Sequence, residues 1–516
     1  MTEPLVLTFD IGTQSTRAVL VNKKGDIVAV KQKKYEEPYY SKNPGWAEQR
    51  PDFYYEKMCE AAKELCSANT DKLPQIIAVT VTCIRDTVVC LDKERKPVRD
   101  AILWLDKRIA DYKNQIPAIN RMLFTLVGMS ESVKKLYRAT FSNWIRQNEP
   151  EVWAKTDKYV MLPTYLNYKL TGNLIDSASN LIGHFPFNYK EKHWMNKNEL
   201  TYCVCDIPVE RLCELIKTGE IIGTLNDEIC DSTGIPKGLP LIATGSDKGC
   251  ETLGLSVYNP GKASVSFGTT ATIQFAVSKY FEPQKFMPAY PAVPDDRYNP
   301  EIQVFRGFWL ISWFIREFAA EERLEAERLG TFPEAILDEK IKSIPAGCEG
   351  LVLQPYWTPG ITNPISAGSI IGFSDFHTRL HLYRAIIEGL CLELYDSMQI
   401  MQKRGGVKIE EIYIGGGGSR SDVVCQIASD VFGLPVKRIQ THEASSLGSS
   451  MVAFVAKGEF KDYDEAIKNM VHEKDVFTPD AGNHKVYEEL YAKVYRKIFP
   501  KLAPIYKPIF EIFNRK

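Results

Sequence analysis

No G-x-x-x-x-G-K-[ST] loop occurs in these 516 residues, so the glycine-rich P-loop is excluded as a triphosphate cradle. Charge of one sign is also missing. The 64 Lys and Arg stand against 65 Asp and Glu, and a net charge of -1 gives no field that would attract nucleic acid or an anionic membrane. No apolar run reaches the roughly 20 residues that a spanning helix needs. Glu3 and Asp10 stand where a secretory leader would carry basic and then apolar residues, so a cytoplasmic location is expected. Of the 12 cysteines, Cys203, Cys205, Cys213 and Cys230 come nearest to a metal set, yet they lack the C-x-x-C knuckles that hold tetrahedral zinc. His377 and His381 stand four apart without the Glu of an H-E-x-x-H helix. Gly415 to Gly418 follow a strand-like run, but the third glycine of a dinucleotide G-x-G-x-x-G is absent. A small ligand remains, and neither nucleic acid nor membrane is expected as a partner.

What is present is an echo. Asp10-Ile11-Gly12-Thr13-Gln14-Ser15-Thr16-Arg17 breaks an apolar strand with Gly-Thr and resumes as a strand, and Ser266-Phe267-Gly268-Thr269-Thr270 repeats the pattern half a chain later. Glycine lets the backbone approach a ligand closely, and the N–H groups and hydroxyls that follow can surround phosphate oxygens. Asp10 can hold magnesium, and Arg17 supplies a forked cation. Two such loops facing each other would enclose a polyphosphate. The Asn259-Pro260-Gly261 turn precedes the second copy, which divides the chain at 1–255 and 256–483, with a helical tail over 484–516. In that tail Tyr487, Leu490, Tyr491, Val494, Tyr495 and Ile498 share one helical face, which is expected to dock on the body. Elsewhere the pattern predicts a helix from Pro51, a strand over Ile76 to Thr82 continued by Asp86 to Leu91, and one helix from Gly307 to Gly330. A long helix is expected over Thr378 to Lys403. After the four glycines a further helix opens at Ser421-Asp422. The alternation is that of an α/β protein.

The stretches FDIGTQSTRAVL, GWAEQRP, AILWLDKR, GSDKGCETLG, SFGTTATI, GFSDFHTRLHLYRAIIEG, GGGGSRSDVVCQIASDVFGLPV and EASSLGSSMVAFVAKGEF, in this order, resemble the motifs of the FGGY carbohydrate kinases. The resemblance runs nearly end to end. It implies two actin-like (ribonuclease H-like) ATPase domains with an interdomain cleft, the sugar mostly on the first and ATP on the second. It also implies ATP-dependent phosphorylation of a hydroxyl on a ketose or polyol, such as xylulose, ribulose or glycerol. Carried over by motif, Asp247 is the general base and Asp10, with Asp247, serves magnesium. Thr13, Gln14, Ser15 and Arg17 would meet the transferred phosphate, Gly268 and Thr269 the other phosphates, and Gly416, Gly417 and Ser421 the adenosine. The EASSLGSS helix start would also border the adenosine. Arg85, Asp86, Trp104 and Asp106 would contact the sugar. A homodimer is compatible with the resemblance.

The match departs from the family in three places. Arg85-Asp86 follows Val81-Thr82-Cys83-Ile84, where xylulokinases carry G-Q-M-H-G; it is closer to the Arg-Glu pair of glycerol kinase, and a structural ion pair is its other reading. Tyr137 stands one position off a substrate tyrosine relative to Trp144, and Pro355-Tyr356-Trp357-Thr358-Pro359-Gly360 lacks a following G-E-R-x-P. Asp247 could alternatively cap a helix. An actin-like or chaperone-like ATPase that binds protein shares the fold and the first hairpin, and it is the alternative function.

Overall fold

The apolar runs on either side of each Gly-Thr turn pair with each other as antiparallel strands. The computed structural model describes residues 3–113, 115–358 and 365–513. The first sheet contains β1 (Leu5–Ile11), β2 (Ser15–Asn22), β3 (Ile27–Lys34), β4 (Ile76–Cys83), β5 (Ile221–Thr224) and β6 (Pro240–Ile242), in the order β5-β6-β4-β1-β2-β3. The second contains β7 (Lys262–Phe267), β8 (Ala271–Phe275), β9 (Glu301–Val304), β10 (Glu411–Gly415), β11 (Val436–Ile439) and β12 (Glu473–Phe477), in the order β9-β8-β7-β10-β11-β12. The two sheets are the same object built twice. Each has a three-stranded antiparallel meander, then two further parallel strands (β4 beside β1 and β6 beside β4; β10 beside β7 and β11 beside β10), then one antiparallel edge. The first strand of each meander is buried along nearly its whole length, which explains its continuous apolar sequence.

Helix α1 (Pro51–Ala68) begins where Pro51 predicts, because proline fits the first turn and its missing N–H costs nothing there. It buries Tyr54, Met58, Ala61, Ala62 and Leu65 with the apolar side of the first sheet. The two halves are joined by crossing helices. Helix α2 (Asp247–Gly254) ends the first half; α3 (Arg379–Gly405) and α4 (Asp422–Phe432) cover the second sheet; and α5 (Ala444–Ala456), although it follows the second sheet's strands, packs on α2, β1 and β4. The crossing is unusually close. A Cβ on Gly448 would lie 1.9 Å from the Cys250 carbonyl oxygen, and one on Gly254 would lie 2.0 Å from that of Ala444.

Two expectations are corrected. Asp86 does not continue β4: it adopts φ 50, a left-handed conformation that Asp tolerates better than most residues. The chain leaves the sheet there, and Val88–Leu91 joins Ala101–Ile102 and Lys158–Met161 in a separate small sheet. The Gly307 to Gly330 segment is two helices, Trp309–Phe318 and Ala320–Leu329. The chain turns at the wholly buried Ala319, and the second helix then brings Glu322 to Lys340 and Arg379 at 2.7 Å each.

The tail docks as its apolar face requires, with Tyr487, Tyr491, Tyr495 and Ile498 buried. Its hydroxyls reach carboxylates on α3: Tyr487 donates to Glu388 at 2.7 Å, Tyr491 to Asp396 at 2.6 Å and Tyr495 to Glu393 at 2.8 Å. Tyr356 donates to the same Glu393 oxygen at 2.9 Å. Burial pushes the Glu393 carboxyl up to about 7, Asp396 adds to the rise, and the two tyrosines offset part of it. An acid whose pKa is raised on folding is most stabilising when protonated, so stability falls as pH rises from the unfolded value toward 7. Glu393→Gln, which stays neutral, is therefore expected to raise the melting temperature at pH 8 and to leave it nearly unchanged at pH 5. An equal shift at both values would contradict this account. Among the described residues no helix is long and apolar enough to cross a membrane.

Candidate active site

The first hairpin turn is closed by Gly12 N–H donating to the Ser15 carbonyl at 2.9 Å, which leaves Thr13 and Gln14 at an open tip. Trp104 stands against this tip, its indole N–H donating to Thr13 Oγ1 at 3.1 Å. Antiparallel register places Arg17 opposite Asp10, and the guanidinium meets the Asp10 carboxylate at 3.2 Å. The same Arg17 lies 3.6 Å from Glu443, just before α5, so it spans the two halves. Ser15 is buried, and its hydroxyl accepts from Gln32 Nε2 at 2.9 Å, so it holds the hairpin rather than facing the opening.

Asp247 opens α2. Ser246 takes the capping role, accepting from Gly249 N–H at 3.3 Å, which leaves the Asp247 carboxylate free of that duty. Burial pushes its carboxyl above the ordinary carboxylate range, while Arg85 and Lys248 offset part of the rise. Burial likewise pushes Asp10 up to about 7; Arg17 offsets part of this, and Glu443 and Asp247 add to it. Two partly compensated carboxylates, one from each of two elements, therefore stand close enough for the charge of Asp247 to be felt at Asp10. Hard oxygen donors with surplus negative charge fit a magnesium ion, which usually takes one or two carboxylates and leaves its other positions to water and phosphate. Among the described residues no group of three or more His, Cys, Asp or Glu is placed to hold a metal ion.

Arg85 follows β4 and reaches across to the second half. Its two terminal nitrogens each meet one oxygen of Glu301 at 3.0 Å, a two-point pair with Arg85 over the Tyr290 ring at 5.6 Å. Asp86 accepts from His184 Nδ1 at 2.9 Å and from the His184 backbone N–H at 3.1 Å. Burial pulls the His184 imidazolium down and Asp86 more than offsets it, so its pKa is raised.

The second hairpin tip, Gly268 to Thr270, is open at Thr269. Gly268 accepts from Phe308 N–H at 2.9 Å. The four-glycine turn follows β10, the strand parallel to β7, just as Arg85-Asp86 follows β4, the strand parallel to β1. Gly416 has φ 78, and a Cβ there would lie 2.7 Å from the Phe267 backbone, so only glycine lets this turn lie against the hairpin. Gly417 has open space where its side chain would stand. Ser421 caps α4, accepting from Val424 N–H at 3.1 Å. Each half thus presents a hairpin tip beside the carboxyl end of a parallel strand, the usual place for ligands in such sheets.

Residues 5–254 match the model of the FGGY family of carbohydrate kinases, N-terminal domain, and residues 263–457 match that of the C-terminal domain. The chain belongs to the FGGY family of carbohydrate kinases. It is a sugar kinase, and its family implies use of ATP on a small-molecule sugar. The kinase is 26% identical over 512 residues to a xylulose kinase of Bacillus subtilis, covering 94% of this chain and 95% of that one. It is 26% identical over 488 residues to a gluconokinase of Bacillus licheniformis, covering 94% of each. Its fold is that of the xylulose kinase from Rhodospirillum rubrum, with a TM-score of 0.82 at 24% identity, covering 98% of this chain and 100% of that one. The fold is the ribonuclease H-like, actin-like ATPase arrangement expected from the motifs.

Not every expected residue of the kinase stands at the cleft. The Asp106 side chain is fully buried, accepting from Ala47 N–H at 2.6 Å and from Arg108 N–H, Nε and a terminal nitrogen at 2.7 to 2.9 Å. Its carboxylate is used up inside the protein, so it positions the Trp104 loop and does not face a sugar. Tyr137 packs on Tyr112 at 5.6 Å in a buried aromatic cluster. Of the small residues in the EASSLGSS segment, Ala444 and Gly448 lie against Gly254 and Cys250 at the α2–α5 crossing. Of Pro355 to Gly360, Pro359 and Gly360 lie outside the described residues. Glu301 was missed, because nothing local marks a carboxylate at the start of a strand as the partner of an arginine in the other half.

Proposed function

We propose that this kinase transfers the terminal phosphoryl group of ATP to a hydroxyl of a ketose or polyol held between Trp104, Arg85 and Asp247. Thr13, Gln14 and Arg17 meet the transferred phosphate, Gly268 and Thr269 the others, and Gly416, Gly417 and the cap of α4 border the adenosine. Asp10 and Asp247 would hold a magnesium ion, which supplies charge neutralisation to the phosphate oxygens. Asp247 accepts the hydroxyl proton as the sugar oxygen bonds to the terminal phosphorus and the bond to the bridging oxygen of ADP breaks. In such reactions positioning and charge compensation do most of the work, and a carboxylate orients the attacking hydroxyl. Arg17 is now shared by Asp10 and Glu443, so an incoming phosphate has a guanidinium already placed at the hairpin.

The observation that carries this reading is the pair of carboxylates Asp10 and Asp247, both pushed up by burial, with Asp247 adding to the rise of Asp10, beside an open phosphate hairpin. Coupled ADP release, measured across xylulose, ribulose, glycerol, erythritol and further neutral sugars, tests it. Release that depends on one added sugar is expected. Release at the same rate with no sugar would contradict it.

A further inference from the structure

The chain's relatives include both a xylulose kinase and a gluconokinase, and the substrates those names give differ in charge. Arg85 is the cation that β4 delivers to the expected sugar position, and an unpaired arginine there would suit the carboxylate of a sugar acid. It is not unpaired. Glu301 takes both terminal nitrogens at 3.0 Å, with its side chain 3% exposed.

Glu301 is itself held by the second half. It stands opposite Gln274 in the β8–β9 ladder, and the Gln274 amide donates to its carboxylate. Thr252 on α2 donates to the Gln274 carbonyl oxygen at 2.7 Å, and Asn299 adds a longer bond at 3.4 Å. The carboxylate is thus fixed by its own sheet and by the helix that carries Asp247. The other charges around the position are also spent. Asp86 holds His184, and Lys248 bonds Glu251 and donates to Ser266 at 2.8 Å. Arg85 also feels Asp247. Among the described residues the cations named at this position, Arg85, His184 and Lys248, thus each have an acidic partner, and the position offers hydrogen-bonding groups in quantity.

Resting on the reading that sugar binds beside Arg85 and Asp247, we infer that Glu301 makes this kinase selective for uncharged acceptors, ketoses and polyols, and makes it reject sugar acids. An arginine has five N–H donors, and two are engaged by Glu301, so the others remain for hydroxyls. A carboxylate brought to the same guanidinium meets Glu301 and Asp247 at close range in a partly desolvated site, where like-charge repulsion is strong. This is discrimination by a repulsive group as much as by an attractive one. Glu301 acts through Arg85 and is a positioning residue.

The test is the ratio of kcat/KM for neutral sugars (xylulose, ribulose, glycerol, erythritol) to that for D-gluconate and D-xylonate. The natural protein is expected to favour its best neutral acceptor over either acid by about a hundredfold or more. Glu301→Gln keeps the shape but frees the Arg85 charge, and it should lower that ratio by about tenfold or more. Glu301→Asp keeps the charge and should leave the ratio close to that of the natural protein. A loss of folding alone would reduce both classes together and leave the ratio unmoved, so the ratio reports charge selection. An acid accepted as well as the best neutral sugar by the natural protein would overturn the inference while leaving the kinase reading intact, and this arm needs no variant. An unchanged ratio in a folded, active Glu301→Gln protein would overturn it as well. If no sugar of either class is phosphorylated, the reading beneath fails and the inference falls with it.

Discussion

Asp247→Asn is expected to lower turnover by about two orders of magnitude or more, the usual contribution of a positioned base. The amide keeps an oxygen toward the cleft and nearly the same volume, and Ser246 continues to cap α2, so the fold should be undisturbed. What is lost is the acceptor for the hydroxyl proton and one of the two carboxylates that would hold magnesium. Because the glycine turn and second hairpin are untouched, nucleotide affinity measured by titration calorimetry should stay within a few fold. The result to look for is therefore a fall in kcat with little change in nucleotide binding. Near-normal turnover would remove Asp247 from the chemistry.

Gly448→Ala is expected to be strongly damaging although it adds a single methyl. By helix propensity alone it should stabilise α5 by about 1 kcal/mol. Its Cβ would, however, lie 1.9 Å from the Cys250 carbonyl and near the Gly254 N–H at 2.7 Å, and backbone atoms cannot rotate away. The helices must separate, and overpacking of this kind costs about 3 kcal/mol. Separation also moves function. Asp247 begins one helix, and Glu443, which holds Arg17, immediately precedes the other. A lowered melting temperature together with a loss of activity is expected. A variant with unchanged melting behaviour and kinetics would show that the crossing has slack that these contacts deny.

The parts legible in the sequence are those whose physics is local. A Gly-Thr turn between apolar strands, proline at the start of α1 and the amphipathic run from Thr378 that becomes α3 each signal locally. The half-chain echo then showed that the hairpin occurs twice, which is why the paired sheets could be expected. What was not legible depends on distant partners. Arg85 and Glu301 are 216 residues apart and meet only because α2 and α5 bring the sheets together. Asp106 reads as a ligand because it is charged and near Trp104, and only the fold shows Arg108 and Ala47 consuming its oxygens. The turn at Asp86 is hidden for the same reason: its left-handed backbone is held by Ile182 and His184, nearly a hundred residues downstream.

The central claim is that two hairpins from two halves hold one triphosphate so that a sugar hydroxyl, rather than water, receives its terminal phosphorus. Phosphorus NMR of the protein with ATP, magnesium and the sugar that best supports ADP release follows that atom directly. The account predicts a new phosphate monoester signal growing in step with ADP, with little inorganic phosphate, and its absence when the sugar is withheld. Inorganic phosphate forming at the same rate with or without sugar, and no ester, would contradict it.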